Sequence, residues 1–471
     1  QLGGFAIERT GPGGAQSAVR YAADGMAVTT TRDTLARLSA KRLAVGGAER
    51  FAETLAYDNA GRVRSTQMAG ATRFYEYDAR GELRKVRAGS ATGQVVEEYS
   101  YDADGNRIGA AYAGEPAEAA TYGPGSGRLT RRAALDYTFD ADGFLTKRGP
   151  DTFSYSRGGD LLSATVGGKT VTYDYDALGR RTARHEGGAT ERYLHGDPAN
   201  PLRITAWIDA GGTLNVPRYD GDGTLFAIDR GGSRVYVATD HLGSPRLITD
   251  AAGTAVRTIE YDAFGRVTGG TGSFDLPIGY AGGLSDPVTG LVRFGKRDYE
   301  PESGRWTAED PTFFEGSPGN LYAYVGSNPT TLTDPTGLVC VGFSAYEGVG
   351  GGLQFCRDNS IDDAGWSICG ELGVGLGGGW DVDLNGGAAE TGGAIVAEAT
   401  YKFGTAGGTL GGELDLDCLN FKSSTKAQLG PFAAGLDSTG SVSAGYSSPE
   451  LHVGGELQGK VAYKRCAKWF F

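Results

Sequence analysis

The stretch Y-D-A-R-G-E-L-R-K, residues 77–85, decides the fold because its pattern returns along the chain. An aspartate at the first position of a type I turn accepts hydrogen bonds from backbone N–H groups further on, and a glycine at the fourth position adopts a positive φ. Asp78 and Gly81 have this spacing, and alternating strand-like sequence lies on both sides of them. The motif therefore predicts a β-hairpin, with copies beginning at Tyr57, Tyr77, Tyr101, Phe139, Tyr175, Tyr219 and Tyr261 and degenerate copies at Tyr155, Tyr193 and Asp240.

A single hairpin cannot bury one of its faces, so about three or more such units must lie side by side. Strands twist as they are added, and a long row of hairpins therefore winds into a curved antiparallel sheet. Composition favours the same fold class, since 79 glycines and 24 tyrosines accompany only 2 methionines. We predict an all-β protein in which residues 1–278 form the curved sheet, with residues 1–50 weakly patterned, and residues 279–338 and 339–471 form two further domains.

The segment 279–338 carries several motifs in order: G-L-V-R-F-G-K-R-D-Y, E-S-G-R-W, a first D-P, N-L-Y-A-Y and the closing D-P-T-G-L. It resembles the repeat-associated core domain of the RHS family, and the Y-D-x-x-G-R spelling upstream resembles the YD repeat of that family. The resemblance implies hairpins that spiral into a hollow shell, a core that plugs one end, and a variable C-terminal segment after D-P-x-G-L. Glu300 is a mild departure, because the family often carries aspartate there.

In many members of the RHS family the core domain cuts the chain after the leucine of D-P-x-G-L by an aspartyl-protease-like activity. Such hydrolysis needs two neighbouring carboxyl groups, one protonated and one ionised, that share a water. Asp310 and Asp334 are the candidate pair, and Arg305 is the candidate cation that keeps one of them ionised. The predicted cleavage site is the bond between Leu338 and Val339. Both aspartates precede a proline, and an Asp-Pro turn without catalytic role is the alternative.

All cysteines lie after residue 339: Cys340, Cys356, Cys369, Cys418 and Cys466. They lack C-x-x-C spacing, so we predict no zinc site, and their grouping in a glycine-rich segment favours disulfides formed in an oxidising compartment, with one cysteine unpaired. Buried free thiols are the alternative. Apolar residues alternate with small or polar ones, most clearly along 366–384, and this pattern predicts a separate Gly-rich β-sandwich or barrel for residues 339–471.

The resemblance implies a shell that encapsulates or presents the segment after Leu338, as in a secreted polymorphic toxin or effector carrier. Two alternatives stay open: an extracellular structural or filament-forming protein whose last domain mediates assembly, and a cargo that inserts into membranes as a β-barrel. The predicted partners are the chain's own C-terminal domain as cargo or cap, further copies of the chain, and an immunity or secretion-system protein. Membrane insertion is the weaker expectation.

Charge and sequence pattern argue against other classes. The formal charge is −12 with 4 histidines, which makes binding of nucleic acid through its phosphates a poor expectation. No apolar run approaches the length of a transmembrane helix, and the sequence implies no metal and no organic cofactor. We expect a secreted, extracellular protein. Because residue 1 is glutamine and no signal peptide follows it, we expect the chain to be the C-terminal part of a longer one.

Overall fold

The structure is a computed structural model that describes residues 6–8, 18–35, 37–198, 200–311 and 320–338, and beyond residue 340 the backbone of the strands given below. The chain divides into two compact units, the first chiefly Gln1–Val341 and the second Gly342–Asp358, Gly365–Val382 and Gly387–Phe471. Strands make up nearly all regular structure of the described residues, together with short 3-10 turns at Ala22–Asp24, Tyr280–Gly282 and Val325–Ser327. The predicted all-β fold class is confirmed.

The first unit contains a 26-stranded sheet in which each strand pairs antiparallel with the next one along the chain. Its first half comprises β1 (Ala6–Glu8), β2 (Ala18–Tyr21), β3 (Met26–Arg32), β4 (Leu38–Val45), β5 (Ala48–Tyr57), β6 (Val63–Met68), β7 (Ala71–Tyr77), β8 (Leu83–Ala88), β9 (Val95–Tyr101), β10 (Arg107–Tyr112), β11 (Glu118–Tyr122), β12 (Leu129–Arg132) and β13 (Leu135–Phe139). Its second half comprises β14 (Leu145–Arg148), β15 (Asp151–Tyr155), β16 (Leu161–Val166), β17 (Lys169–Tyr175), β18 (Arg181–Glu186), β19 (Ala189–Leu194), β20 (Ala206–Ile208), β21 (Leu214–Tyr219), β22 (Leu225–Arg230), β23 (Ser233–Thr239), β24 (Pro245–Thr249), β25 (Ala255–Tyr261) and β26 (Val267–Gly272).

The turns of the repeat use the aspartate and the glycine as the sequence predicts. Asp58 accepts the backbone N–H groups of Ala60 and Arg62 on Oδ1, each at 2.9 Å, and Gly61 adopts a φ of 81°. The Arg62 side chain also donates from Nε to Asp58 Oδ2 at 2.7 Å. The two bonds to Oδ1 recur at Asp33, Asp78, Asp102, Asp176, Asp209, Asp220, Asp240, Asp250 and Asp262.

In several of the motifs the tyrosine links one hairpin to the hairpin before it. The Tyr77 hydroxyl donates to the Val63 carbonyl oxygen at 2.6 Å, and the Arg62 guanidinium lies 4.6 Å from the centre of the Tyr77 ring. A tyrosine ring with a partnered hydroxyl and a stacked arginine stabilises a junction that is apolar on one side and polar on the other. The same hydroxyl bond joins Tyr57 to Leu38, Tyr101 to Leu83, Tyr122 to Arg107, Tyr175 to Leu161 and Tyr219 to Ile204.

The sheet coils back so that its early strands contact its late strands. Val28 and Leu43, from β3 and β4, share one buried cluster with Phe226 and Tyr236 of β22 and β23. Further along, the ring of Tyr99 in β9 packs edge-on against Phe264, with centroids 4.8 Å apart. These contacts bury apolar surface that no hairpin could bury alone.

A small four-stranded sheet follows the coiled sheet: β27 (Leu284–Ser285), β28 (Val292–Phe294), β29 (Arg297–Glu300) and β30 (Arg305–Trp306). We call residues 279–338 the core segment. Buried ion pairs tie the core segment to the coiled sheet, for example Arg184 Nε to Asp286 Oδ2 at 2.7 Å and Arg181 Nη2 to Asp298 Oδ1 at 3.0 Å. Because a buried charge without its partner is costly, these pairs fix the position of the core segment against the sheet.

The second unit holds two sheets of its own. One contains β31 (Cys340–Asp358), β32 (Gly365–Asp383) and β38 (Val461–Phe470), and the other contains β33 (Val396–Phe403), β34 (Ala406–Asp415), β35 (Asn420–Leu429), β36 (Phe432–Asp437) and β37 (Val442–Tyr446). The antiparallel register of β32 and β38 places Cys369 directly opposite Cys466. Cys340 and Cys356 lie on β31, and Cys418 lies outside the described residues.

Replacing Tyr101 by phenylalanine tests the tyrosine link. The Leu83 carbonyl would lose its donor in a buried site, so we expect the free energy of unfolding to fall by about 1–3 kcal/mol in a denaturant titration followed by tryptophan fluorescence. Tyr112→Phe is the matched control, because the buried hydroxyl of Tyr112 has no hydrogen-bond partner among the described residues. Equal losses in the two variants would contradict a stabilising role of the link.

The register of β32 and β38 predicts a disulfide between Cys369 and Cys466. Directly opposed residues of antiparallel strands have Cα atoms about 4.5–5.5 Å apart, which a disulfide can span. Peptide mapping of protein purified without reductant should recover the two cysteines in one linked peptide, and reduction should separate them. Recovery of both as free thiols from an oxidising host would contradict the pairing.

Candidate active site

The D-P-T-G-L motif folds into a turn that holds the backbone of Leu338. Asp334 Oδ1 accepts the Leu338 backbone N–H at 3.2 Å and lies 3.0 Å from the Thr336 hydroxyl. Thr336 Oγ1 in turn lies 3.0 Å from the Leu338 carbonyl oxygen, to which it can donate, and 3.1 Å from the Leu338 nitrogen. A hydroxyl has one proton, so Thr336 donates either to the carboxyl group or to the Leu338 carbonyl at any moment. The peptide carbonyl at the predicted cleavage site is thus within reach of a hydrogen-bond donor.

Two glycines let this turn pack backbone to backbone against the β28–β29 hairpin. Gly337 has a φ of 65°, and a Cβ there would lie 2.5 Å from the Phe294 carbonyl oxygen. Gly295 has a φ of 41°, and a Cβ there would lie 2.2 Å from the Thr336 carbonyl oxygen. Any larger side chain at these positions would push the turn away from the hairpin. The glycine of D-P-T-G-L is therefore required by the close approach of two backbones.

Arg297 of β29 joins the two candidate aspartates. Its Nη2 lies 2.7 Å from Asp310 Oδ2 and 3.4 Å from Asp334 Oδ2. Its Nε donates to the Gly337 carbonyl oxygen at 2.5 Å and its Nη1 to the Leu321 carbonyl oxygen at 3.3 Å. The arginine and both aspartates are almost fully buried, at 2%, 2% and 0% exposure for Arg297, Asp310 and Asp334. Two buried carboxyl groups share one cation here, and the balance of charge favours a proton on one of them.

The surroundings of Asp334 favour its protonated form. Burial and the negative charge of Asp310 raise the pKa of Asp334 to about 6, although Arg297, the Thr336 hydroxyl and the Leu338 N–H act in the opposite direction. Asp310 makes the shorter ion pair with Arg297. The geometry therefore distinguishes the two carboxyl groups, with Asp334 as the proton carrier and Asp310 as the carboxylate paired with the arginine.

Arg305 lies elsewhere in the core segment, and Arg297 occupies the position expected for it. The Arg305 guanidinium donates to the Gly127 carbonyl oxygen at 2.5 Å and to Asn320 Oδ1 at 3.2 Å, and it stacks 4.7 Å from the centre of the Tyr122 ring. No ion pair links it to either aspartate in the described part of the chain. Arg305 thus fastens the core segment to the coiled sheet.

Two residues at the site escaped the sequence reasoning. Arg297 stands in the R-D-Y run of the core motif, and Thr336 is the hydroxyl residue inside D-P-T-G-L, so their types alone could have drawn attention. Glu300, the departure from the family pattern, pairs with Arg148 at 2.9 Å and is a structural residue. Val339, on the far side of the predicted cleavage bond, lies outside the described residues.

A cavity of about 400 Å³ reaches the motif from the side of the coiled sheet. Thr333 and Pro335, the neighbours of Asp334, form part of its wall, and Arg203, His195 and Leu284 line it further out. A cavity of this size holds several waters. Its wall therefore includes both sequence neighbours of Asp334.

Other kinds of site find no support in the described residues. No group of three or more His, Cys, Asp or Glu side chains there is arranged to hold a metal ion. No helix among the described residues is long and apolar enough to cross a membrane.

Antiparallel hairpins with Y-D-x-x-G turns, coiled into one sheet and joined to a core segment that ends in D-P-T-G-L, define an RHS/YD-repeat shell protein. The family model described as Teneurin YD-shell matches residues 1–330, and the chain belongs to that family.

Individual proteins are similar to parts of this chain. Human teneurin-4 is 35% identical over 298 residues, which cover 59% of this chain and 10% of teneurin-4. Teneurin-m of Drosophila melanogaster is 31% identical over 295 residues, covering 55% of this chain and 10% of that protein. The chain thus spans about a tenth of the length of these curated relatives. The crystal structure of TcdB2-TccC3-Cdc42 aligns with a TM-score of 0.45 and 19% identity, over 69% of this chain and 21% of that one.

The raised pKa of Asp334 gives a testable dependence of stability on pH. The native state holds its proton up to about pH 6, whereas the unfolded chain releases it near 3.8, so protonation favours the native state between these values. We expect the free energy of unfolding of the parent, relative to Asp334→Asn, to fall by about 2 kcal/mol as pH rises from 4 to 7. Denaturant titrations at several pH values measure this difference.

Asp286→Asn is the control, because Asp286 is another buried Asp-Pro carboxyl of the core segment. Burial raises its pKa, but the ion pair with Arg184 outweighs burial and lowers that pKa below its ordinary value. The parent should therefore gain stability relative to Asp286→Asn as pH rises through the acidic range. Slopes of the same sign for both aspartates would contradict the assignment of the Asp334 proton.

Proposed function

We propose that residues up to Leu338 form a shell that carries the segment beginning at Val339, and that the core segment cuts the bond between them. The observation that carries this proposal is the single guanidinium of Arg297 bound to both carboxyl groups, at 2.7 Å and 3.4 Å, beside the backbone of Leu338. A structural Asp-Pro turn requires neither a second buried carboxyl group nor a shared cation. The arrangement instead suits an aspartyl-type hydrolysis, in which two unlike carboxyl groups act on one water.

Each group receives one role in this proposal. Asp310, paired with Arg297, takes a proton from a water as the water oxygen attacks the Leu338 carbonyl carbon. Thr336 donates a hydrogen bond from its hydroxyl group to the Leu338 carbonyl oxygen, on which negative charge develops, and keeps its proton. Asp334 gives its proton to the nitrogen of Val339 when the peptide bond breaks. The products are a carboxyl group on Leu338 and an amine on Val339, so atoms and protons balance.

The carrier role rests on where the second unit begins. The described core segment ends at Leu338. Strand β31 starts at Cys340, immediately after the motif, and the second unit begins within this strand, at Gly342. All five cysteines of the chain also lie beyond this point, which fits a cargo that matures outside the cytosol. We therefore propose a secreted, toxin-like or effector-like carrier with the C-terminal domain as its cargo. An extracellular assembly protein with an uncut chain is the second candidate.

Intact mass under denaturing conditions tests the cut. The parent should give two fragments that meet between Leu338 and Val339, and Asp310→Asn should give one uncut chain, because the base is lost. Asp286→Asn, an equally buried Asp-Pro carboxyl held by Arg184, should still give two fragments. This control separates loss of the reaction from general loss of folding.

A parent that remains one chain, in freshly made protein and after prolonged incubation at pH 5.5, would overturn the cleavage proposal. The D-P-T-G-L turn would then join two covalently linked domains, and oligomers or fibres of the intact chain would support the assembly protein. Two fragments in both the parent and Asp310→Asn would assign the cut to another group or to a contaminating protease.

A further inference from the structure

One buried carboxylate of the coiled sheet depends on a single partner in the part of the chain that the structure describes. Glu53 of β5 is 0% exposed, and its Oε1 lies 2.7 Å from Nδ1 of His241. Its other oxygen, Oε2, has no hydrogen-bond partner there. Burying a carboxylate with so few partners is costly, so the contact that Glu53 does make needs an explanation.

The other ring nitrogen of His241 contacts the core segment. His241 Nε2 lies 2.8 Å from the backbone carbonyl oxygen of Thr330, a residue that is 3% exposed. A carbonyl oxygen and an ionised carboxylate both accept hydrogen bonds, so the ring donates from both nitrogens and carries a positive charge. Burial lowers the pKa of His241, but the Glu53 and Asp240 carboxylates together outweigh burial and raise that pKa to about 9. His241 thus links Glu53 to Thr330 by two charge-assisted hydrogen bonds.

Thr330 belongs to the stretch of chain that leads directly into Asp334. We call residues 328–334 the approach segment. It contains a turn in which the backbone N–H of Leu332 donates to the Asn328 carbonyl oxygen at 3.2 Å, and the Leu332 side chain packs against the buried aromatic cluster of the core segment. This connection is short and well supported, so a displacement of the Thr330 carbonyl would be passed on to the Asp334 carboxyl group.

The contacts of the approach segment come from both ends of the coiled sheet. Glu53 lies on β5, near the start of the sheet, and His241 lies in the turn between β23 and β24, near its end. The hydroxyl of Tyr77, on β7, lies 2.7 Å from Thr330 Oγ1. Early and late hairpins therefore meet at Thr330, and the link through His241 exists only when the sheet has coiled back on itself.

We propose that His241, held in place by Glu53, is a positioning residue for the self-cleavage of the chain: its Nε2–H holds the Thr330 carbonyl, and through the approach segment this contact sets the position of Asp334. His241 transfers no proton in the reaction. The inference rests on the proposed function and adds a condition to it, because the proton donor is aligned only in the coiled sheet. Misplacing a reacting group by about 1 Å can slow an enzyme about 100-fold.

Two variants of the link differ in whether the donor to Thr330 remains. In Glu53→Gln, a neutral His241 ring keeps its Nε2–H for the Thr330 carbonyl, and its Nδ1 accepts a hydrogen bond from the introduced amide. Adding His241→Phe removes this donor and keeps an aromatic ring. In cell-free synthesis with timed quenching, we expect Glu53→Gln to be cut after Leu338 within about threefold of the parent rate, and the double variant at least about tenfold more slowly than Glu53→Gln.

Tyr236→Phe is the control for a general loosening of the sheet. The Tyr236 hydroxyl donates to Asp24 Oδ2, so this variant also breaks a hydrogen bond between a late and an early part of the sheet, and the lost partner lies outside the approach segment. Its melting temperature should fall, while cleavage stays within about twofold of the parent. If the cleavage rates of all three variants instead follow their melting temperatures, His241 has only a structural role and the inference is overturned.

The outcomes separate this inference from the proposed function. If the parent and the double variant are cut at the same rate, the positioning role is overturned and self-cleavage stands. If the parent is never cut, both fail. Should the double variant fold poorly, Glu53→Leu combined with His241→Leu replaces the buried pair by apolar side chains, an exchange that is often neutral or stabilising in proteins. The inference then requires cleavage at least about tenfold slower than in the parent.

Discussion

The structure depends on one local interaction: an aspartate carboxylate accepts hydrogen bonds from two backbone N–H groups of its own turn. Asp58 does so for Ala60 and Arg62, and the same two bonds return at turn after turn of the coiled sheet. Each turn fixes the register of two strands, because a slip by one residue would move every apolar side chain to the wrong face. The tyrosine before the aspartate, as at Tyr77, then donates to a backbone carbonyl of the preceding hairpin. Each such bond fixes the position of one hairpin against its neighbour.

The core segment is joined to this sheet by a different kind of interaction. Buried arginine–carboxylate pairs connect elements far apart in sequence, such as Arg293 with Asp160 at 2.7 Å and Arg184 with Asp286 at 2.7 Å. Pairs of this kind contribute little net stability compared with apolar packing. If the core segment docked in a different position, however, each pair would be broken and would leave an unpaired buried charge, which is costly. We infer that the pairs together, and not any one of them alone, select one position of the core segment, and this position brings Arg297 to both aspartates.

The sequence predicts those parts of the structure whose contacts join residues close together in the chain. It does not predict the parts that depend on contacts between distant residues. Y-D-x-x-G predicts the turn and the hairpin because all of its hydrogen bonds close within five residues, and repetition turns a weak signal into a firm one. The coiling of the sheet depends on contacts such as Tyr99 with Phe264, which no spacing reveals. The carboxyl pair could be predicted from the sequence, because each aspartate stands in a D-P motif. The cation that pairs with them could not be predicted. Arg297 and Arg305 are both arginines in neighbouring strands, and only the fold decides which of them faces Asp310.

The direction of the tyrosine links has a consequence for the order in which the molecule can be built. Each tyrosine binds a carbonyl that lies earlier in the chain, so a hairpin leaving the ribosome finds its docking surface already present. Strand β29, which carries Arg297, is synthesised later and is anchored through Asp298 to Arg181 of the finished sheet. The two aspartates therefore meet only after the repeats exist. A chain interrupted or misfolded upstream holds an incomplete site. Under the proposed function, the bond to the C-terminal domain would therefore stay intact until the shell is complete.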